Sequence, residues 1–215
     1  MFSWDLFYKL PIIGILRGVA PGTLFKLIPL YIDSGFTNIE ITMNSPRAPE
    51  TIKQLKDTYL TGLNIGAGTV CTEEQLKTAL DAGASYIVTP VVNEKIISSC
   101  VQKHIPIFPG AYTPTEIYNA WRAGASIVKV FPATTLGPAY IKEVKAPLNE
   151  VKLLPTGGVS AENMADFFKA GAEGVGMGSQ LFPTQILTRE DMDSLAMHFR
   201  QVYQAYHQYK KTLLQ

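Results

Sequence analysis

The chain has 215 residues, 47% hydrophobic and 17% charged, with a formal net charge of +1 at pH 7, which suits one substantial core and is too apolar for a disordered segment. A balance this close to neutral, with Lys210-Lys211 as its most basic step, leaves no electrostatic footprint for nucleic acid or an anionic membrane surface. The first residues lack the basic start and apolar core of a signal peptide, no run of about 18 apolar residues is present, and Cys71 and Cys100 have no metal-site or disulfide-scaffold spacing, so a cytoplasmic protein is expected.

Short β-rich apolar runs alternate with helical patterns along the whole chain. The runs lie at 12–16, 38–43, 64–69, 86–90, 105–109, 126–131, 151–156 and 174–177; the helical patterns follow at 21–34, 46–59, 72–82, 93–103, 114–123, 138–148, 161–170 and about 190–209. Ser45-Pro46 and Thr113-Pro114 place a cap residue before a proline at the first helical position, and Thr72 with Gln75 and Thr113 with Glu116 have capping-box spacing. Ser34-Gly35, Ala82-Gly83-Ala84, Ala123-Gly124-Ala125 and Ala170-Gly171-Ala172 repeat one device, a glycine that ends a helix in the left-handed conformation just before a strand. Eight βα units in this length predict an α/β fold of the closed (β/α)₈ barrel type, with a short N-terminal helix, as a single domain over 1–215. An open dinucleotide-binding sheet would want G-x-G-x-x-G after the first strand, where the chain instead has Arg17-Gly-Val-Ala-Pro21.

Barrel enzymes work at the carboxyl ends of their strands. Those ends supply Arg17, Glu40 with Asn44, Thr69, Thr89-Pro90, Pro109-Gly110, Lys129 with Phe131, Thr156-Gly157-Gly158, and the run Gly176-Met-Gly-Ser179. Lys129 is surrounded by Ile127, Val128, Val130, Phe131 and Pro132; an ammonium buried there without a partner gives up its proton and becomes a nucleophile. Snorkelling at a strand end, or an ion pair, is the competing account. Glu40 lies between Ile39 and Ile41, whose alternation turns them outward and Glu40 into the barrel, as a general acid/base or as an internal partner of Lys129 or Arg17. Arg17 is placed either to depress the lysine's pKa and grip a substrate carboxylate or to form a surface salt bridge. The glycines after the last two strands bring bare backbone to where this fold binds phosphate, though glycines also serve ordinary tight turns. His104, His198 and His207 lie away from the ring, which therefore holds no metal cluster, and no G-x-S-x-G elbow marks a serine triad.

Gly14-Ile-Leu-Arg-Gly18, Glu40-Ile-Thr-Met-Asn-Ser-Pro46, Gly66-Ala-Gly-Thr-Val70, Val88-Thr-Pro90, Lys129-Val-Phe-Pro132, Gly137-Pro-Ala-Tyr-Ile-Lys142, Pro155-Thr-Gly-Gly158 and Gly176-Met-Gly-Ser179 resemble, in order, the class I aldolases for 2-keto-3-deoxy-6-phosphogluconate and 4-hydroxy-2-oxoglutarate. The resemblance implies a (β/α)₈ barrel, usually a homotrimer. It implies cleavage of a phosphorylated keto acid to pyruvate and glyceraldehyde 3-phosphate without a cofactor or metal, through a covalent imine on Lys129. By the same resemblance Glu40 matches the general acid/base, Thr69, Pro90 and Phe131 line the pocket, and Gly157, Gly158, Gly178 and Ser179, beside Thr156, match the phosphate cradle. Asn44 stands where many gluconate-type members have an arginine for the substrate carboxylate, leaving that work to Arg17, and Leu-Arg-Gly with Asn-Ser-Pro leans toward the phosphogalactonate branch. Other readings of the same residues are a 4-hydroxy-2-oxoglutarate aldolase, a phosphate-binding isomerase or transferase barrel, and a non-catalytic barrel that binds a phosphorylated metabolite.

Overall fold

The computed structural model describes residues 1–213. Strand and helix alternate through α1 (Trp4–Lys9), β1 (Ile12–Leu16), α2 (Pro21–Asp33), β2 (Asn38–Thr42), α3 (Ala48–Thr58), β3 (Asn64–Gly68), α4 (Glu73–Asp81), β4 (Tyr86–Val88), α5 (Glu94–Gln102), β5 (Ile107–Phe108), β6 (Gly110–Ala111) and α6 (Pro114–Arg122), then β7 (Val128–Val130), α7 (Gly137–Lys145), β8 (Leu153–Pro155), α8 (Met164–Lys169), β9 (Val175–Met177), α9 (Thr184–Arg189) and α10 (Met192–Thr212). All pairings are parallel, in the orders β5-β4-β3-β2-β1-β9 and β6-β7-β8. β5 and β6 are one barrel position interrupted at Pro109, whose carbonyl still accepts from the Lys129 amide at 2.9 Å. At the other seam Thr156, just past β8, bridges Gly176 on β9. The eight positions therefore close into the expected barrel.

Alternation along the strands sorts the core into two shells. Ile12, Leu16, Ile39, Ile41, Ile65, Ala67, Ile87, Ile107, Val128, Val130, Leu153 and Val175 face the helices. Ile13, Tyr86, Val88, Phe108, Ile127 and Leu154 fill the interior, and Phe7 of α1, with Phe2 and Trp4, closes its lower end. Side chains of neighbouring elements lie on glycines: Tyr86 covers Gly66 on the adjacent strand, Phe7 covers Gly174 at 2.9 Å from where a Cβ would sit, and Thr156 covers its bridge partner Gly176. The Tyr86 hydroxyl donates to the Ile39 carbonyl at 2.8 Å, so this large ring is buried without an unpaired oxygen.

Both capping boxes form, at Thr72 with Gln75 and at Thr113 with Glu116. Ser45 does not cap. The helix starts at Ala48 behind a left-handed Arg47 (φ 56°), and the Ser45 hydroxyl pairs with Thr42 Oγ1 at 2.8 Å and accepts from the Gly18 amide at 2.8 Å. The last helical pattern forms as one helix, α10; α9 is an additional short helix before it, and Glu190 turns left-handed (φ 50°) between the two. Tyr206 is buried on α8, with its ring 5.3 Å from that of Phe168, so the tail packs on its own barrel; residues 214–215 of that segment lie outside the described part. Among the described residues no helix is long and apolar enough to cross a membrane.

Candidate active site

Glu40 and Lys129 both point into the barrel. Glu40 is opposite Ile15 and Gly66 in the β1 and β3 ladders, and Lys129 is opposite Gly110 and Leu154. They are 2% and 5% exposed, which for ionisable side chains demands a reason. Among the described residues neither end group hydrogen-bonds or forms an ion pair within the chain. No fully buried side-chain polar atom lacks a partner either, so the amine and the carboxyl keep a sliver of open space rather than a protein neighbour.

Burial pushes the Lys129 amine below the ordinary lysine range; the Glu40 carboxylate pulls it back up and the Arg17 guanidinium adds a smaller push down. Burial likewise raises the Glu40 carboxyl, against the charges of Lys129 and then Arg17. Both groups are thus moved toward their uncharged forms. The Phe131 ring lies with its centroid 4.9 Å from Lys129 Nζ and closes one side of the amine's surroundings.

Glycine makes room for the carboxyl. A methyl group at Gly68 would collide with Oε1 of Glu40, and the next residue, Thr69, turns left-handed (φ 56°), a costly conformation for a β-branched residue. That turn ends β3 one residue earlier than the sequence pattern predicts. Gly68→Ala must therefore displace the carboxyl, and the expected result is a turnover number lowered by roughly 10- to 100-fold with far UV circular dichroism unchanged; wild-type turnover would deny Glu40 its place.

Above Lys129 opens a cavity of about 470 Å³. Of the sequence-predicted residues it brings together Arg17, Lys129, Phe131, Thr156, Gly157, Gly158, Gly178 and Ser179. Glu40, Thr69 and Pro90 are not on its wall, although Glu40 is near enough to feel the charges of Lys129 and Arg17, and Asn44 is exposed and outside it. Gly157 (φ 100°) and Gly158 (φ 72°) take conformations that other residues rarely adopt and pass against Thr134. Among the described residues nothing in the chain accepts from the Gly158 or Ser179 amides, which leaves two donors at this end for an anion. Sequence reading missed Thr23, Thr184, Leu187 and Thr188, which also line the cavity. It also missed the Thr42–Ser45–Gly18 network beside Arg17; the serine's position before a proline was a signal, read as a cap. Among the described residues no three His, Cys, Asp or Glu side chains gather as metal ligands.

A closed parallel barrel with a buried amine, an inward carboxyl and a cavity at one end has the layout of a barrel enzyme. A family model described as KDPG and KHG aldolase matches residues 6–197. The chain is 39% identical over 175 residues to the 2-dehydro-3-deoxy-6-phosphogalactonate aldolase of Escherichia coli (strain K12), covering 81% of this chain and 85% of that one. It is 33% identical over 174 residues to the 2-dehydro-3-deoxy-phosphogluconate aldolase of Treponema pallidum (strain Nichols), covering 80% and 82%. A solved structure described as native KDPGal superposes with a TM-score of 0.87 at 36% identity, covering 94% of this chain and 97% of that one. The chain belongs to the KDPG and KHG aldolase family; it is a class I aldolase, a carbon–carbon lyase.

Proposed function

We propose that this enzyme cleaves a 2-keto-3-deoxy-6-phosphoaldonate to pyruvate and glyceraldehyde 3-phosphate, with Lys129 as the imine-forming nucleophile and Glu40 as the general acid/base. The observation that carries this is the inward amine of Lys129, buried, held below its usual pKa and hydrogen-bonded to none of the described residues. The neutral amine attacks the C2 ketone, and loss of water leaves an iminium. Glu40 takes the C4 hydroxyl proton, the C3–C4 bond breaks into the iminium, and the C4 aldehyde leaves. Protonation of the enamine carbon and hydrolysis then free pyruvate and restore the amine. Arg17, at the rim of the cavity, is assigned the keto-acid carboxylate, and Gly157, Gly158, Gly178 and Ser179 the phosphate. A cavity of about 470 Å³ is of the size that holds such a metabolite.

The preferred substrate in this reading is the galactonate epimer, which differs at C4. The phosphogalactonate aldolase of Escherichia coli and a probable one of Rhizobium meliloti (strain 1021) both match this chain at 39% identity, above the 33% of the phosphogluconate enzyme. Steady-state cleavage of each purified epimer, followed by release of pyruvate, is expected to give a kcat/KM at least about 10-fold higher for phosphogalactonate, the scale of one well-aimed contact. Equal constants, or the reverse order, would reject the preference. A homotrimer in the cytoplasm completes the proposal.

A further inference from the structure

Two loops build the polar end of the cavity, residues 157–159 after β8 and 178–180 after β9. The second is a tight turn in which the amides of Leu181 and Phe182 both donate to the Gly178 carbonyl, at 2.9 Å each. The Gln180 carbonyl is instead met from outside the barrel by Nε2 of His198, half-buried on α10, at 2.8 Å. A carbonyl can only accept, so Nε2 carries the proton. The helix that presents this imidazole is itself fixed: Phe199, the next residue, is fully buried, with its ring 5.6 Å from that of Phe182 and 5.4 Å from that of Tyr31. Three residues past the first loop, the Glu162 carboxyl is held below the usual range by hydrogen bonding, first from Ser160, and the charge of His198 adds a smaller pull. The imidazole thus reaches the second loop through one hydrogen bond. It lies just beyond the 6–197 stretch that the family model covers.

We infer that His198 is a positioning residue that, through its hydrogen bond to the Gln180 carbonyl, holds the 178–180 turn in the shape that offers bare backbone to the substrate's phosphate. This rests on the reading of that end of the cavity as the phosphate cradle. Without the bond the hydrogen bonds left in the turn, among the described residues, are those of the Leu181 and Phe182 amides, and the Ser179 amide loses its fixed direction. The penalty falls on the phosphorylated end of the substrate and spares the chemistry at Lys129.

The test is aldol addition of pyruvate to D-glyceraldehyde 3-phosphate and, separately, to D-glyceraldehyde, by the full-length wild type, His198→Ala, His198→Gln and Gly158→Val. His198→Ala is expected to raise KM for the phosphorylated aldehyde about 3- to 10-fold, the span of one lost hydrogen bond. Inhibition by inorganic phosphate should weaken by a similar factor, with kcat and the rate with unphosphorylated aldehyde unchanged. His198→Gln, whose amide can donate to the same carbonyl, should restore most of the loss. An unaltered KM in His198→Ala, or an equal loss toward both aldehydes, overturns the inference. Gly158→Val, forced against Thr134 at φ 72°, separates the two levels. If it raises the phosphorylated KM while His198→Ala does not, only the positioning role falls; if neither does, the cradle falls with it.

Discussion

Replacing Lys129 by methionine should abolish the covalent attachment of pyruvate by borohydride and lower turnover by at least about 10⁴-fold. Mass mapping of the wild-type adduct should find the added three-carbon unit on the peptide containing residue 129 and nowhere else. The same variant should unfold at a higher temperature than the wild type. Burial depresses this lysine's pKa, so the unfolded chain binds a proton that the folded chain does not. Its contribution to stability is therefore present above the unfolded value, about 10.5, and is lost as pH falls through the folded value. Methionine has no such dependence and fills a similar volume, so the gap in melting temperature should widen as the buffer is taken from alkaline to neutral. Glu40 loses its strongest opposing cation in the variant, so its carboxyl moves further up. An active Lys129→Met enzyme, or an adduct on another lysine, would remove the basis of the imine route. A variant less stable than the wild type would show that the amine is not strained by its burial, which would undercut its readiness as a nucleophile.

Much of this site is legible in the chain because strand alternation is a strict rule. Ile39 and Ile41 had to face the helices, which left Glu40 no direction but inward, and the same parity through Ile127, Lys129 and Phe131 set Lys129 opposite it. The glycine-rich ends were readable for a related reason, since bare backbone after the last two strands has a short list of uses. What escaped were features without a period. α9 has six residues and none of them buried, so no apolar stripe announces it, yet Thr184, Leu187 and Thr188 form a cavity wall. Ser45 carries the signature of a cap but is drawn away by Gly18 and Thr42, a tertiary demand that outweighs a local preference. Thr69 offers no hint in its residue type that it will turn left-handed, because that conformation is imposed by its surroundings. The role inferred for His198 was beyond reach of sequence for the same reason: its partner is a backbone carbonyl, which every residue has.

Glu40→Gln is expected to behave differently from the lysine variant: turnover slowed by roughly 10²- to 10⁴-fold, the usual range for a lost acid/base group, with the pyruvate adduct still formed. Glutamine keeps the volume over Gly68 and so preserves the surroundings of the amine. The informative part is the pH dependence of trapping. Burial lowers the Lys129 pKa while the Glu40 carboxylate raises it, so neutralising residue 40 removes the upward pull and leaves burial and Arg17 acting alone. The amine then stays unprotonated to lower pH, and the acid limb of adduct formation should shift downward relative to the wild type. Carbinolamine dehydration, which needs a proton delivered and withdrawn, should slow at every pH. Rate and pH limb therefore move independently, which a general loss of structure would not produce. If the limb moved upward, the carboxylate would not be the group that holds the amine's proton; if turnover were unimpaired, the protons of cleavage would have to travel through some group other than Glu40.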